Sequence, residues 1–266
     1  MGTPVADPAD VRIAPYRDVG DHAALLARGV FVAEGRLVVQ RLIADRRFHV
    51  ESVVVTPAAY QQLSPWLECV TTAVLICAPD VLSAVTGFNF HRGCLALARR
   101  PCVEDSLASL LPAERLLVLE GVGNPDNIGG LFRAALALGA GGVVLDERCG
   151  DPFYRKAVRT SMGATLRVPF TRLPVIEAVA KLRAAGFQIV GLTPAPDAID
   201  LRDLVPASKV AMLLGAEGGG LSADALDCSD VLARIPVDAA ADSLNVTVAA
   251  AIALYQLGSW ASRGGR

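Results

Sequence analysis

The sequence predicts an α/β fold, because short apolar runs alternate with segments of helical spacing along most of its 266 residues. Apolar residues make up 53% of the chain and charged residues only 20%, a composition too hydrophobic for a disordered protein. The 25 basic and 27 acidic side chains give a formal net charge of −2, which excludes a basic surface over the whole protein. Any contact with nucleic acid must therefore come from local basic clusters.

A proline-bracketed segment over residues 101–112 predicts a boundary between two domains. We expect a flexible tail over residues 1–17, a small α/β module over 18–100, a linker over 101–112 and a second domain over 113–266. In the small module, the spacing of RLVVQRLI predicts a helix over Arg36–Ile43. Its predicted strands are Val53–Val55, Val74–Ile76 and Cys94–Leu97.

The second domain predicts a parallel sheet, because continuous apolar runs alternate with two helical segments that each end before a glycine. The predicted strands are Leu116–Leu119, Val143–Leu145, Ile189–Gly191 and Val210–Leu214, and the predicted helices are Ile128–Leu138 and Val175–Ala185. In sheets of this kind, ligands bind at the carboxyl ends of the strands. The loops that follow these strands are therefore where a functional site is expected.

The first such loop, EGVGNPDNIGG at Glu120–Gly130, leads into an apolar helix that carries Arg133. It matches neither of the common glycine-rich phosphate-binding patterns, which disfavours nucleotide binding in those modes. A charge in a helix expected to be buried must be paired or functional, and this selects Arg133 as a candidate. Asp126 or Asn127 could simply cap the helix.

Two later loops carry the other candidate residues. LGAEGGGLS at Leu214–Ser222 follows a strand directly, and its glycines let backbone N–H groups approach a ligand, while Glu217 disfavours an anionic one. A tight turn capped by Ser222 would explain the glycines but gives Glu217 no role. In IPVDAAADSLNVTVAAAIALY at Ile235–Tyr255, capping at Ser243 or Asn245 accounts for one polar side chain but not for their clustering.

In the order and spacing of these three segments, the sequence resembles the SpoU/TrmH methyltransferases, which are RNA ribose 2′-O-methyltransferases of the SPOUT class. The matching motifs are N-x-x-x-x-x-R at Asn127–Arg133, L-G-x-E-G at Leu214–Gly218 and I-P…S-L-N-V at Ile235–Val246. This likeness runs over about residues 113–260. The segment VAEGRLVVQRLI at Val32–Ile43 is similar, less specifically, to the family's substrate-binding module, which has a ribosomal-protein-like fold.

The resemblance implies a C-terminal domain threaded into a deep trefoil knot, S-adenosylmethionine as cofactor, and a homodimer with active sites at the interface. It implies methylation of a ribose 2′-hydroxyl in structured RNA, with 23S rRNA as the expected substrate. Methylation of tRNA, of a base nitrogen or of a small molecule, and a non-catalytic role in RNA binding or ribosome assembly, stay open as alternatives. The implied catalytic residues are Asn127, Arg133, Glu217, Ser243 and Asn245, and the implied cofactor-binding residues are Leu214, Gly215, Ala216, Ile235, Leu244 and Val246.

We expect Arg133 to act through its positive charge, since a guanidinium group holds its proton too firmly to serve as a base. Binding the phosphate beside the reacting ribose and stabilising a developing alkoxide are the roles that suit it. Two basic clusters could hold RNA, although a solvated surface is the commoner explanation for each cluster taken alone. They are Arg41, Arg46, Arg47, His91 and Arg92 in the small module, and Arg155, Lys156, Arg159, Arg167 and Arg172 between the first two motifs.

The cysteines and the residues near both ends of the sequence predict the cellular compartment of the protein. Six cysteines without a C-x-x-C pair, and three histidines, favour reduced thiols over disulfides and predict no metal site. The acidic N-terminus does not have the pattern of a signal peptide, which predicts a cytoplasmic protein. The uncharged stretch Ser243–Ser262 is long enough to span a bilayer, but its polar residues and alanines favour a helix buried in protein.

Overall fold

Two sheets organise the chain, one in each of two units. The computed structural model describes residues 2–17, 19–90, 92–101, 105–238, 240–241 and 243–258, so His91 and Cys102 lie outside the described residues. The first unit consists of Met1–Val103 and Pro152–Leu166, and the second of Glu104–Asp151 and Arg167–Arg266.

The first unit contains a mixed sheet with the strand order β1-β4-β3-β5-β2, in which β5 runs antiparallel to both of its neighbours. Its strands are β1 (Thr3–Val5), β2 (Val30–Glu34), β3 (Val50–Val55), β4 (Ala73–Cys77) and β5 (Cys94–Arg99). Its helices are α1 (His22–Ala27), α2 (Arg36–Ala44), α3 (Pro57–Leu67), α4 (Pro79–Thr86) and α7 (Arg155–Thr160).

The second unit contains an all-parallel sheet with the strand order β10-β12-β9-β11-β6-β7-β8. Its strands are β6 (Arg115–Leu119), β7 (Gly142–Leu145), β8 (Phe170–Arg172), β9 (Gln188–Leu192), β10 (Ile199–Asp200), β11 (Val210–Leu214) and β12 (Val231–Arg234). Its helices are α5 (Leu107–Leu110), α6 (Pro125–Leu138), α8 (Val175–Ala184), α9 (Ala223–Asp227) and α10 (Val246–Gln256).

The register of β6 and β11 brings two of the candidate loops together. Leu214 lies opposite Leu119, so both strands end at the same edge of the sheet, and the N–H of Glu120 donates to the carbonyl of Leu214 at 2.9 Å. These strands are buried along nearly their whole length, as expected for a parallel sheet covered on both faces. On one face, α8 buries Val175, Ala178, Val179 and Leu182, which are spaced as one helical stripe.

The α/β fold and the parallel sheet predicted from the sequence are confirmed, and every predicted strand and helix is present with bounds that differ by at most a few residues.

Burial raises the pKa of Cys94 and of Cys149 to about 12, so both thiols stay protonated at neutral pH. The uncharged stretch after Ser243 forms α10, which ends at Gln256. Among the described residues, no helix has both the length and the apolarity needed to cross a bilayer.

The N-terminal segment differs from the flexible tail expected over residues 1–17. The strand β1 pairs in parallel with β4, and the side chains of Ile13 and Tyr16 are fully buried. The hydroxyl groups of Tyr16 and Ser52 lie 2.8 Å apart, within hydrogen-bonding distance. The segment is ordered because it closes an edge of the sheet and buries a large aromatic side chain.

Two other boundaries also differ from the expected ones. Within the expected linker, the short helix α5 buries Leu110 in the core of the second unit, because its apolar side chains cover the end of the sheet. The segment Pro152–Leu166, expected inside the second domain, belongs to the first unit. There Phe153 stacks on Phe31 with ring centroids 5.0 Å apart.

Replacing Tyr16 tests whether the N-terminal segment is part of the folded core. We expect Tyr16→Ala to lower the free energy of unfolding by about 3–5 kcal/mol, because it leaves a cavity in the hydrophobic core of the first unit and an unpaired hydroxyl at Ser52. The matched control is Val11→Ala in the same segment, whose side chain is 80% exposed and should change stability by less than about 0.5 kcal/mol. Urea denaturation measures both, and equal stabilities for the two variants would contradict the assignment.

Candidate functional site

A cavity of about 420 Å³ opens at the carboxyl edge of the parallel sheet, beyond the ends of β9, β11 and β12. The position is the one where parallel α/β sheets bind ligands. All six residues expected to hold a cofactor line it, together with Glu217, Ser243 and Asn245. Its walls are formed by Leu192–Pro194, Leu214–Gly218, Gly220, Ile235, Val237, Ser243–Val246 and Ala249.

The side chain of Asn245 connects three segments that are far apart in sequence. Its Nδ2 donates to Asn127 Oδ1 at 3.0 Å and to Glu217 Oε1 at 2.8 Å. Its Oδ1 accepts the N–H of Thr247 at 2.9 Å, which caps the N-terminus of α10. A single amide group therefore fixes the relative positions of α6, the loop after β11 and α10.

Close packing of α6 against α10 holds Asn127 beside this cluster. The hydroxyl of Thr247 donates to the carbonyl of Asn127 at 3.4 Å, and a Cβ added at Gly130 would lie 2.7 Å from the Thr247 side chain. Asn127 is buried, and its Nδ2 has no hydrogen-bond partner among the described residues. Buried polar groups are nearly always paired, so this free donor marks a place for a further acceptor.

The loop after β11 folds back sharply and brings its backbone to the cavity. A Cβ added at Gly215 would overlap the carbonyl group of Gly220, so only glycine allows this close approach of the two backbone segments. The N–H of Gly220 donates to the carbonyl of Ala216 at 3.0 Å, and Gly218 has a φ of 84°. The glycines of this loop were predicted either to admit a ligand to the backbone or to form a tight turn. The structure shows that they form the turn, and that the turn itself lines the cavity.

A network of charged side chains connects and stabilises the loops at this edge of the sheet. Glu120 is buried and accepts the N–H of Ser222 at 2.8 Å, while Arg148 lies 3.3 Å from Glu120 and 3.1 Å from Asp146. Burial alone would raise the pKa of Asp146, but hydrogen bonds from the Gly121 N–H and from Cys149 and Arg148 lower it below its usual value. Glu120 thereby ties the start of the first loop to the end of the second.

The structure brings together Asn127, Glu217, Ser243 and Asn245, but it does not bury Arg133. Arg133 is exposed on α6 and makes no hydrogen bond or ion pair with any described residue. It lies six residues beyond Asn127, which is about 9 Å along the helix axis and on a different face. The expectation of a buried arginine was wrong, because the apolar neighbours of Arg133 face the sheet while position 133 faces outward.

The helix caps also differ in part from those considered above. Asn124 caps α6 by accepting the N–H of Asp126 at 2.9 Å, so neither Asp126 nor Asn127 has that role. Asn127 is thus left available for the site. Ser222 caps α9, as the alternative explanation of the second loop supposed.

Sequence reasoning missed one wall of the cavity, which is formed by Leu192, Thr193 and Pro194. A signal was present, since L-T-P-A-P follows directly after the predicted strand Ile189–Gly191, at the same edge as the other loops. The structural role of Glu120 was missed as well, although it opens the first loop.

Known proteins similar to this chain match it over most of its length. A model of the SpoU rRNA Methylase family matches residues 114–255. Over 261 residues the chain is 40% identical to an uncharacterized tRNA/rRNA methyltransferase of Mycobacterium tuberculosis, covering 95% of this chain and 90% of that protein. Over 195 residues it is 34% identical to RlmB of Nitrosomonas europaea, a 23S rRNA (guanosine-2′-O-)-methyltransferase, covering 71% and 74%. The AdoMet-bound rRNA methyltransferase of Sinorhizobium meliloti has the same fold, with a TM-score of 0.81, 26% identity and 96% of each chain covered.

Substitution of Gly215 tests whether the cavity binds the cofactor. We expect Gly215→Ala to weaken binding of S-adenosylmethionine by about tenfold or more, because the added methyl group must push the loop out of place. The matched control is Gly219→Ala in the same loop, where an added Cβ meets nothing within 4 Å. Isothermal titration calorimetry gives both affinities, and wild-type binding by Gly215→Ala would rule this cavity out as the site.

Proposed function

The chain belongs to the SpoU rRNA methylase family, and on that premise we propose that it transfers the methyl group of S-adenosylmethionine to a ribose 2′-hydroxyl of 23S rRNA. The observation that carries this proposal is the hydrogen-bonded cluster of Asn127, Glu217 and Asn245 at the mouth of the cavity, because it unites all three sequence motifs. The name of RlmB supports rRNA as the substrate. The name of the M. tuberculosis relative includes tRNA as well, so tRNA is an outcome that the test must distinguish.

The residues around the cavity fit S-adenosylmethionine in size and in charge. The cavity volume lies within the range of small-molecule sites, about 300–1,000 Å³. Apolar side chains such as Leu192 and Ile235 suit the adenosyl part, and the carboxylate of Glu217 suits a cationic ligand. When bound there, S-adenosylmethionine supplies an activated methyl group on a sulfonium centre.

The polar residues of the chain position the substrate and stabilise charge. Asn245 holds the loop with Glu217 against α6. The Nδ2 of Asn127 is unpaired among the described residues but buried, so it reaches a substrate oxygen only after the surrounding side chains move. Arg133 offers its guanidinium to the phosphate beside the reacting ribose and to the negative charge that develops on the 2′-oxygen. Its exposed position suits contact with a large external substrate.

We propose that the active unit is a homodimer. On the exposed side of α10, Val248, Ile252 and Tyr255 form an apolar stripe at helical spacing, and Tyr255 is 64% exposed. A contiguous apolar face on a helix end favours burial against another protein surface. We propose that in such a dimer Arg133, on the adjacent helix α6, serves the cavity of the partner subunit, in line with the active sites at the interface that the resemblance implies.

We further propose that the two parts of the chain have separate functions and that the catalytic part is knotted, as the resemblance implies. In this proposal the first unit, Met1–Val103 with Pro152–Leu166, binds the RNA substrate, and the second unit is the catalytic domain with a deep trefoil knot. The strand order supports the knot, because β11 lies between the earlier strands β6 and β9, and α10 then packs back on α6. Modification of rRNA also favours the cytoplasm as the location.

The reaction is tested by locating the transferred methyl group. We expect incubation with unmodified 23S rRNA and S-adenosylmethionine labelled in the methyl group to yield label in one 2′-O-methylnucleoside after complete digestion. Liquid chromatography with mass spectrometry separates this product from base-methylated nucleosides. Label on a base would contradict the reaction, and label in tRNA but not in 23S rRNA would contradict the substrate.

The position of Arg133 is tested by mixing two inactive variants. We expect Arg133→Ala to abolish turnover while S-adenosylmethionine still binds, and Gly215→Ala to be inactive through loss of cofactor binding. If Arg133 serves the partner's cavity, a mixed dimer of the two variants contains one complete site out of two. Because about half of the dimers in an equimolar mixture are mixed, the mixture regains up to about one quarter of the wild-type activity. Methylation assays on refolded mixtures measure this recovery. An inactive mixture of well-formed mixed dimers would show instead that Arg133 acts within its own chain.

A further inference from the structure

Several of the basic residues singled out in the sequence are already engaged in holding the fold. Guanidinium groups bonded to backbone carbonyls have few donors left for a ligand. In the first unit, Arg41 donates to the carbonyl of Met162, and Arg47 donates to the carbonyl of Leu166 and to the carboxylate of Asp45. In the second unit, Arg172 donates to the carbonyls of Asp146, Cys149 and Gly150.

A different arrangement surrounds Glu34 in the first unit. Glu34 ends β2, and its side chain is only 5% exposed. Arg155 donates to its Oε2 at 2.8 Å, and the same guanidinium stacks on the ring of Phe88 at 4.3 Å from the centroid. This one ion pair satisfies the buried carboxylate and fixes Arg155 on both sides.

Two further arginines approach the same carboxylate without bonding to it. The Nε of Arg92 lies 3.5 Å from Glu34 Oε1, and the Nη1 of Arg159 lies 3.9 Å from Oε2. Both distances are too long for a hydrogen bond. The side chains of Arg92 and Arg159 are 51% and 32% exposed, and neither makes a hydrogen bond to a described residue. Three guanidinium groups thus share one carboxylate, and two of them keep their donors free.

We propose that Arg92 and Arg159 form a phosphate-binding pair that grips the sugar–phosphate backbone of the RNA substrate, with Glu34 as the residue that positions them. The proposal rests on the proposed function, since it assigns the RNA contact of the first unit to two side chains. A guanidinium fork binds phosphate oxygens with two parallel hydrogen bonds. Two such forks drawn toward one buried carboxylate are held near each other before RNA arrives, which lowers the entropy cost of binding.

The division of the chain supports the same assignment. Arg92 precedes β5, whereas Arg159 lies on α7, in the segment Pro152–Leu166 that joins the first unit from beyond the first motif. The side chain of Arg92 also lies over Gly35, where a Cβ would come within 3.6 Å of its Cδ. One arginine of the pair comes from Met1–Val103 and the other from Pro152–Leu166. The segment Pro152–Leu166 therefore contributes to RNA binding in this proposal, in addition to its packing.

The pair is tested by removing its charges and measuring RNA affinity across a salt series. We expect Arg92→Gln and Arg159→Gln each to weaken binding to an unmodified 23S rRNA transcript by about threefold near 0.15 M KCl. The slope of log K against log salt should flatten by about 0.7–0.9 for each lost phosphate contact. The matched control is Arg12→Gln, an exposed arginine of the same unit that is bonded to Asp10 and should leave both quantities unchanged.

Two readouts keep this inference separate from folding and from the proposed function. Melting temperature and affinity for S-adenosylmethionine should change little in both variants, because Arg155 keeps its hydrogen bond to Glu34 and the contacts that are lost are long, partly exposed ion pairs. Folded variants that bind the transcript with wild-type affinity and slope would overturn the pair alone, provided that the wild-type protein methylates rRNA. A wild-type protein that neither binds nor methylates rRNA would overturn the proposed function together with it.

Discussion

The amide group of Asn245 is the point on which the site depends. It donates to Asn127 and to Glu217 while its oxygen caps α10, so it joins three segments whose motifs lie far apart in sequence. Asparagine suits this position because its side chain is both a good helix cap and a donor of two hydrogen bonds. The walls of the cavity formed by Leu214–Gly218 and Ser243–Val246 take their relative position from this one side chain.

The parallel sheet makes such a junction possible. Adjacent parallel strands end at one edge, and the bond from the Glu120 N–H to Leu214 brings the first two loops side by side. Gly215 then lets the second loop turn back across the edge, and Glu120 anchors that turn through the N–H of Ser222. The buried charges therefore hold backbone in place, while the exposed arginines remain available for a large anionic substrate.

The strands of the second unit could be predicted from sequence because buried parallel strands are continuous apolar runs, as in Val210–Leu214. The exposure of Arg133 could not, because the same apolar helix can present any one of its faces to solvent until α10 and the sheet are in place. The strand β1 is too short to carry a periodic signal. The membership of Pro152–Leu166 in the first unit depends on contacts between distant residues, such as Arg155 with Glu34 and Phe153 with Phe31, which no local pattern contains.

Binding of S-adenosylhomocysteine to Asn245→Ser tests the central claim most directly. Serine still caps α10, but it is too short to reach Asn127 and Glu217 together, so only the junction is lost. Calorimetry should give an affinity about tenfold weaker than wild type, as expected for the loss of two hydrogen bonds. The matched variant Asn124→Ser, at the cap of α6, should bind like wild type. Equal affinities for the two variants would contradict the account.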